Sequence, residues 1–224
     1  MHTSSKAGTE LMKFYKALHE AYGPQGWWPG DTPTEIAIGA ILVQNTNWQN
    51  VEKAIARLRD AGMLNWQALY KVRMGELAEL IRPAGYYQVK ARRLKNLVTW
   101  LCEQHGGDLE NLRALPLAEL REQLLAVNGI GPETADSILL YALDRPTFVV
   151  DTYTARVTRR HGLIDGEADY YQLKSLFEDN LPDDVGLFNE YHALLVAVGK
   201  RHCRPTARCS GCPLEAFEHD VESR

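Results

Sequence analysis

The chain has 224 residues, 45% hydrophobic and 24% charged, with a formal net charge of −4. That length builds one large or two small domains with real cores. No apolar run approaches the roughly 20 residues that span a bilayer, so the composition excludes a membrane protein. The opening Met1-His2-Thr3-Ser4-Ser5-Lys6 lacks the apolar stretch of a secretory signal, which makes a cytoplasmic, reducing location the expectation.

Apolar residues recur at three- and four-residue spacing over 11–22, 35–43, 51–58, 91–101, 117–127, 134–143, 171–181 and 191–198. This periodicity predicts an all-α fold. Between the first two helices lies Gly26-Trp27-Trp28-Pro29-Gly30. Paired tryptophans are costly to expose, so they either lock the loop onto the core or stack against a flat ligand, such as a base turned out of a duplex. Gln44-Asn45-Thr46-Asn47-Trp48 occupies a helix junction; its amides either cap helices or fill the hydrogen-bonding void that an extruded base leaves. Arg82-Pro83-Ala84-Gly85-Tyr86-Tyr87 interrupts the next helix, its tyrosines being core or a wedge into a base stack. Pro33, Pro116, Pro132 and Pro182 mark helix starts or stops, and Asp169 and Asp184 are caps or first-turn acids. Thr147 to Val150 is strand-like but too short and solitary to seed a sheet.

Asn128-Gly129-Ile130-Gly131-Pro132 places two glycines ahead of a proline that opens an apolar helix. Such a hairpin leaves backbone N–H groups free to hold a phosphate. Downstream, Asp151 ends the β-branched run and is the expected N-cap of another helix, where its carboxylate stays ionised. The net charge gives no global reason to expect nucleic acid, but three basic clusters stand out: Lys90, Arg92, Arg93 and Lys95; Arg156, Arg159 and Arg160; and Lys200, Arg201, Arg204 and Arg208. Each is either a solvated helix face or a phosphate-contacting patch.

Three of the four cysteines fall in Cys203-x5-Cys209-x2-Cys212, with Arg and Pro between them, while Cys102 sits alone as a small buried hydrophobe. In a reducing compartment the trio reads as a metal or cluster site, because close-packed thiolates need a multivalent cation. Four ligands are normal, so one is missing; Glu218 and His219 stand where a fourth would fall, and imidazole is the better substitute on iron. Relic cysteines of a lost cluster are the other reading.

Taken together these residues resemble the helix-hairpin-helix DNA glycosylases of the endonuclease III superfamily, over roughly 34–212. The resemblance rests on Leu125-x3-Gly129-Ile130-Gly131-x2-Thr134-Ala135, on Val149-Val150-Asp151-Thr152 and on the C-terminal cysteines, which match a 4Fe-4S loop. It implies two helical lobes flanking a DNA-binding cleft, with a barrel and hairpin over 32–146 and a cluster lobe made of 1–31 plus 147–224. It further implies a monomer acting on damaged double-stranded DNA. On it, Asp151 becomes the catalytic carboxylate facing the cleft, Asn128, Gly129 and Gly131 the phosphate grip, and Gln44 and Tyr86 the plug and wedge. Arg201, Arg204 and Arg208 become phosphate contacts; Cys203, Cys209 and Cys212, with His219 or Glu218, become the cluster ligands.

Two departures refine this. Bifunctional members carry a lysine two residues after the second hairpin glycine, where this chain has Glu133; a carboxylate cannot form the Schiff base that β-elimination needs. The chain therefore resembles monofunctional glycosylases that leave the abasic strand uncut. The tryptophan-proline loop, with Gln44 to Trp48 and Arg82 to Tyr87, resembles bacterial type III 3-methyladenine glycosylases, which share the glutamate but whose best-known form lacks the cysteines. That implies a base pocket of Trp27, Trp28, Pro29 and Trp48, with Glu133 either a plain surface glutamate or an attraction for a cationic base. The expected activity is hydrolysis of the N-glycosidic bond of alkylated purines. Excision of oxidised pyrimidines with weak lyase activity, or damage binding without cutting, are the alternatives.

Overall fold

In a computed structural model, residues 5–220 are described; 1–4, at the start of the stretch read above for targeting, and 221–224 lie outside them. Eleven α-helices follow in chain order among the described residues: α1 Lys6–Tyr22, α2 Pro33–Leu42, α3 Trp48–Asp60, α4 Trp66–Lys71, α5 Met74–Leu80, α6 Tyr87–His105, α7 Leu117–Ala126, α8 Pro132–Ser137, α9 Thr152–Arg160, α10 Tyr170–Glu178 and α11 Val185–Arg201. A π-helical turn, Ile138–Ala142, continues α8. The all-α expectation holds. None of the described helices is long and apolar enough to cross a membrane.

Local chemistry sets the boundaries. Thr32, Asn47, Asn65 and Asp184 each accept a first-turn N–H with their side chains, satisfying donors a helix start leaves open. Asp169 goes further, forming a reciprocal capping box with Gln172. Pro33 and Pro132 sit in the first turns of α2 and α8, where no N–H is missed.

The chain divides into two compact units, Pro29–Arg145 and Met1–Trp28 with Pro146–Arg224. In the first, α2 is apolar on every side beyond its first turn, with Ala37, Ile38, Ala40, Ile41 and Leu42 buried, so it runs through the core. It packs on α3, α6, α8 and the π turn, and the cluster extends through Leu94, Leu97 and Leu101 of α6 to Leu139. In the second unit α11 packs on α1 and α9. Phe148 stacks on Phe177 with ring centroids 3.8 Å apart and meets Phe188 and Tyr191 edge-on. Among the described residues the strand-like run before Asp151 pairs with no other strand; Phe148 N–H donates instead to Glu178 Oε1 (2.7 Å), and the run's apolar side chains anchor the segment that presents Asp151.

Candidate functional site

Asp151 is the N-cap of α9. Its Oδ1 accepts from the N–H groups of Tyr153 (2.9 Å) and Thr154 (2.8 Å), while Oδ2 lies 3.5 Å from His192 Nε2. Burial works against the ion, but the adjacent His192 imidazole, with the Thr154 contacts, outweighs it and holds the carboxyl below its usual 3.8. His192 is buried on α11. The two helices approach closely because Gly199 has no side chain: a Cβ there would stand 2.5 Å from Tyr153 Cδ1. Cap and carboxylate–imidazole contact thus coexist, one on each oxygen. Nothing in the sequence flagged His192, a lone histidine in an otherwise apolar stretch.

In the other unit, α7 and α8 bracket the hairpin. The Ile130 N–H turns back to Val127 O (3.0 Å), while among the described residues the N–H groups of Gly129 and Gly131 meet no acceptor. Asn128 is exposed, and its carbonyl accepts from Asn96 Nδ2 (2.8 Å). Gln44 is half-buried and docked on the hairpin: its Nε2 donates to Thr134 Oγ1 (2.9 Å) and Gly129 O (3.4 Å), and its Oε1 accepts from Arg93. Tyr86 is 72% exposed, held out by a left-handed backbone with φ 46°; for a bulky side chain that conformation is uncommon.

An open cavity in the same unit is lined by Pro29 and Trp48 of the expected pocket, together with Gly30, Asp31, Glu35, Glu52, Ile55 and Arg59. Glu35 is buried and accepts from Arg59 (2.7 Å) and from the Asp31 N–H (3.0 Å). Asp31 also pairs with Arg59 (3.0 Å). Glu52 follows Trp48 by one helical turn, on the same face of α3. Glu133, in the first turn of α8, is exposed and does not line this cavity. Trp27 and Trp28 belong to the other unit, in edge-to-face contact with centroids 5.5 Å apart and Lys200 Nζ 5.8 Å from the Trp27 ring.

In two of the basic clusters part of the charge is buried or committed to backbone carbonyls rather than lying on the surface. Lys90 is buried and Lys95 donates to Leu69 O and Tyr70 O, leaving Arg92 exposed. Arg160 is also buried, donating to Arg204 O (2.6 Å), Pro205 O (2.8 Å) and Cys203 Sγ (3.4 Å), while Arg156 donates to Cys203 O (2.6 Å). Both arginines anchor the cysteine loop. Of the third cluster, Arg201 lies over Tyr22 (4.4 Å) and Arg204 Nε donates to Lys200 O (2.8 Å), both remaining largely exposed, as does Arg208.

The free thiols of Cys203, Cys209 and Cys212 line one pocket with His219, and also with His161 and His202, which sequence reasoning passed over. Glu218 does not line it; its backbone carbonyl accepts from His161 Nδ1 (2.9 Å). His219 Nδ1 pairs with Phe217 O (2.7 Å), which directs the ring's lone pair to Nε2. Burial, with Cys203, Cys209 and Glu215 nearby, pushes the Cys212 thiol up. Among the described residues no three His, Cys, Asp or Glu side chains close on one point as a single metal ion requires.

Residues 38–183 match the model of the HhH-GPD superfamily of base excision DNA repair proteins. MJ1434 of Methanocaldococcus jannaschii, a protein assigned to the DNA repair glycosylases, is 48% identical over 208 residues, 92% of this chain and 94% of its own. Endonuclease III of Thermotoga maritima is 28% identical over 184 residues, covering 82% and 81%. Among solved structures, H. pylori 3-methyladenine DNA glycosylase (MagIII) bound to 1,N6-ethenoadenine aligns with a TM-score of 0.72 at 28% identity, over 88% of this chain and 98% of that one. A non-covalent endonuclease III–DNA complex shares the fold, with a TM-score of 0.80 at 22% identity over 94% of each chain. Hairpin, capped aspartate and these likenesses converge: the chain belongs to the HhH-GPD superfamily of base excision DNA repair proteins and is a DNA glycosylase of that family.

Proposed function

We propose that the protein is a monofunctional glycosylase that hydrolyses the N-glycosidic bond of alkylated, cationic purines in duplex DNA. The observation that carries this is the cavity around Trp48, whose lining includes three carboxylates, Asp31, Glu35 and Glu52, and a single guanidinium, Arg59. Arg59 is committed to Glu35 and Asp31, so the surplus negative charge suits a flat cation stacked on an indole. The 28% identity to a 3-methyladenine glycosylase supports the same reading.

A purine quaternised on its ring is already a good leaving group, so the pocket selects and the chemistry is modest. The glycosidic bond breaks with its electron pair leaving on the base, which departs neutral. The cationic sugar then takes the oxygen of a water, whose proton passes to solvent. Asp151, kept ionised, stabilises that sugar cation and orients the water. Its low proton affinity makes it a weak general base, so the electrostatic part dominates. Asn128, Gly129 and Gly131 hold a backbone phosphate, while Gln44 fills the gap and Tyr86 wedges the stack. Arg201, Arg204 and Arg208 add phosphate contacts, and the tryptophans at 27 and 28 add π-faces.

Purified protein is expected to release methylated adenine faster than any other base from a panel of lesion duplexes. The product strand should stay intact until heated in alkali, and borohydride should trap no adduct, because Glu133 replaces the lyase lysine. Faster release of thymine glycol, or a trapped adduct, would overturn the reading; binding with no release from any duplex would leave a damage-binding module.

We further infer a 4Fe-4S cluster held by Cys203, Cys209, Cys212 and His219. The donor set suits it: three thiols and an imidazole line one cavity, with Arg160 donating to a sulfur. When bound, it would supply a scaffold that fixes the arginine-bearing loop, its core charge offset by the three thiolates. Protein expressed with iron should be brown and contain iron and acid-labile sulfide in equal amounts. Cys212→Ser should lose both. A colourless protein with four titratable thiols would sink the inference.

A further inference from the structure

Helix α6 carries Lys90, Arg93 and Asn96 at three-residue spacing, hence close to one face. Lys90 is 2% exposed, and its Nζ donates to two backbone carbonyls, Leu42 O (2.9 Å) and Ala84 O (2.7 Å). Leu42 is the last residue of α2, directly ahead of Gln44 and of Asn45, whose φ is 53°. Ala84 closes the turn directly ahead of Gly85 (φ 69°) and Tyr86 (φ 46°). One ammonium therefore ties together the roots of both loops read as plug and wedge. Neighbouring side chains of the same helix reach the third element. Arg93 donates to Gln44 and its stem lies where Gly129 lacks a side chain, and Asn96 donates to Asn128 O.

Lys90 is a costly way to fill that space. Among the described residues no carboxylate pairs with it, and burial, aided by Arg93, pulls its pKa down to about 8. A methionine of similar length packs such a site without desolvating a charge. Its three donors do what methionine cannot: they satisfy two carbonyls at element C-termini 42 residues apart in sequence.

We infer that Lys90 is a positioning residue that fixes the Gln44 loop and the Tyr86 loop to each other, so that both enter the base stack in register with the hairpin. This rests on the reading of Gln44 and Tyr86 as the residues that enter DNA. Lys90 touches neither base nor sugar and acts through the two loops.

The test compares wild type with Lys90→Met on two substrates at saturating protein: a fully paired lesion duplex, and the same lesion opposite a gap, where there is no partner base to part from. Lys90→Met is expected to lose about 10- to 100-fold in base release on the paired duplex, the scale of a small misplacement. On the gapped duplex it should stay within about twofold of wild type, since plug and wedge have little to do there. A second readout needs no lesion chemistry: 2-aminopurine opposite a tetrahydrofuran site should brighten with wild type and much less with Lys90→Met. Should Lys90→Met fail to fold by circular dichroism, Lys90→Leu, which also removes the donors, is read the same way. Equal losses on both substrates, or equal 2-aminopurine responses, would overturn the inference. A wild type that releases no base yet brightens 2-aminopurine more than Lys90→Met would sink the substrate reading and leave this inference standing.

Discussion

Asp151→Asn is expected to fold with its helix start intact and to lose at least about 100-fold in base release. Asparagine caps a helix as well as aspartate does, so the amide oxygen can take over the Tyr153 and Thr154 N–H groups that Oδ1 now accepts. The variant removes the charge and little else. What it loses is the fixed anion facing the sugar cation, the one contribution asparagine cannot supply. His192→Gln should cost less, about tenfold, because the carboxylate stays but loses the partner 3.5 Å from Oδ2. A kcat loss with unchanged KM in both variants, measured by single-turnover release, is the expected pattern. An Asp151→Asn enzyme with wild-type rates would reduce Asp151 to a cap.

The same carboxylate leaves a signature in stability. Its folded pKa lies below the usual 3.8, so its ionised form stabilises the native state at every pH above the unfolded value. That stabilisation is lost as pH falls through the lower folded value. The melting-temperature gap between wild type and Asp151→Asn should therefore hold steady from neutral pH down to about 5 and close in stronger acid. Over the same neutral range the rate should show no acid limb from Asp151, as a residue already ionised throughout cannot produce one.

Which residues could be read from the chain alone follows from how local their physics is. The caps at Asp169, Asp184 and Asp151 and the prolines at 33 and 132 act within a few residues of themselves, and all behave as their spacing suggests. The helices Trp66–Lys71 and Met74–Leu80 escaped because six or seven residues give too little periodicity to register. Lys90 and Arg160 looked like surface charge because the carbonyls that hold them, Leu42 O, Ala84 O, Arg204 O and Pro205 O, arrive through tertiary packing. His192 and Glu52 carry no motif; their neighbours Asp151 and Trp48 were legible, but the contacts and cavity that give them meaning exist only in the folded chain.

The two hairpin glycines should part company on substitution, although both belong to one motif. Gly129 has φ 98°, a conformation strained for any side chain, and a Cβ there would stand 2.3 Å from Arg93 Cγ and 3.0 Å from Arg93 Cβ. The near part of that arginine cannot swing aside without moving α6. Gly129→Ala should therefore cost about 2–4 kcal/mol in stability, from backbone strain and overpacking together. That corresponds to roughly 5–15 °C in Tm for a chain of this size. Gly131 is different: its φ is −92°, and a Cβ there meets nothing within 4 Å. Gly131→Ala should melt within about 2 °C of wild type. Its added methyl enters open space on a residue whose N–H is read as part of the phosphate grip, so DNA affinity should fall about tenfold, or 1.4 kcal/mol. Thermal melts and equilibrium titration of an abasic-analogue duplex measure the two effects separately. If Gly131→Ala instead binds DNA as tightly as wild type, the phosphate does not sit on this turn.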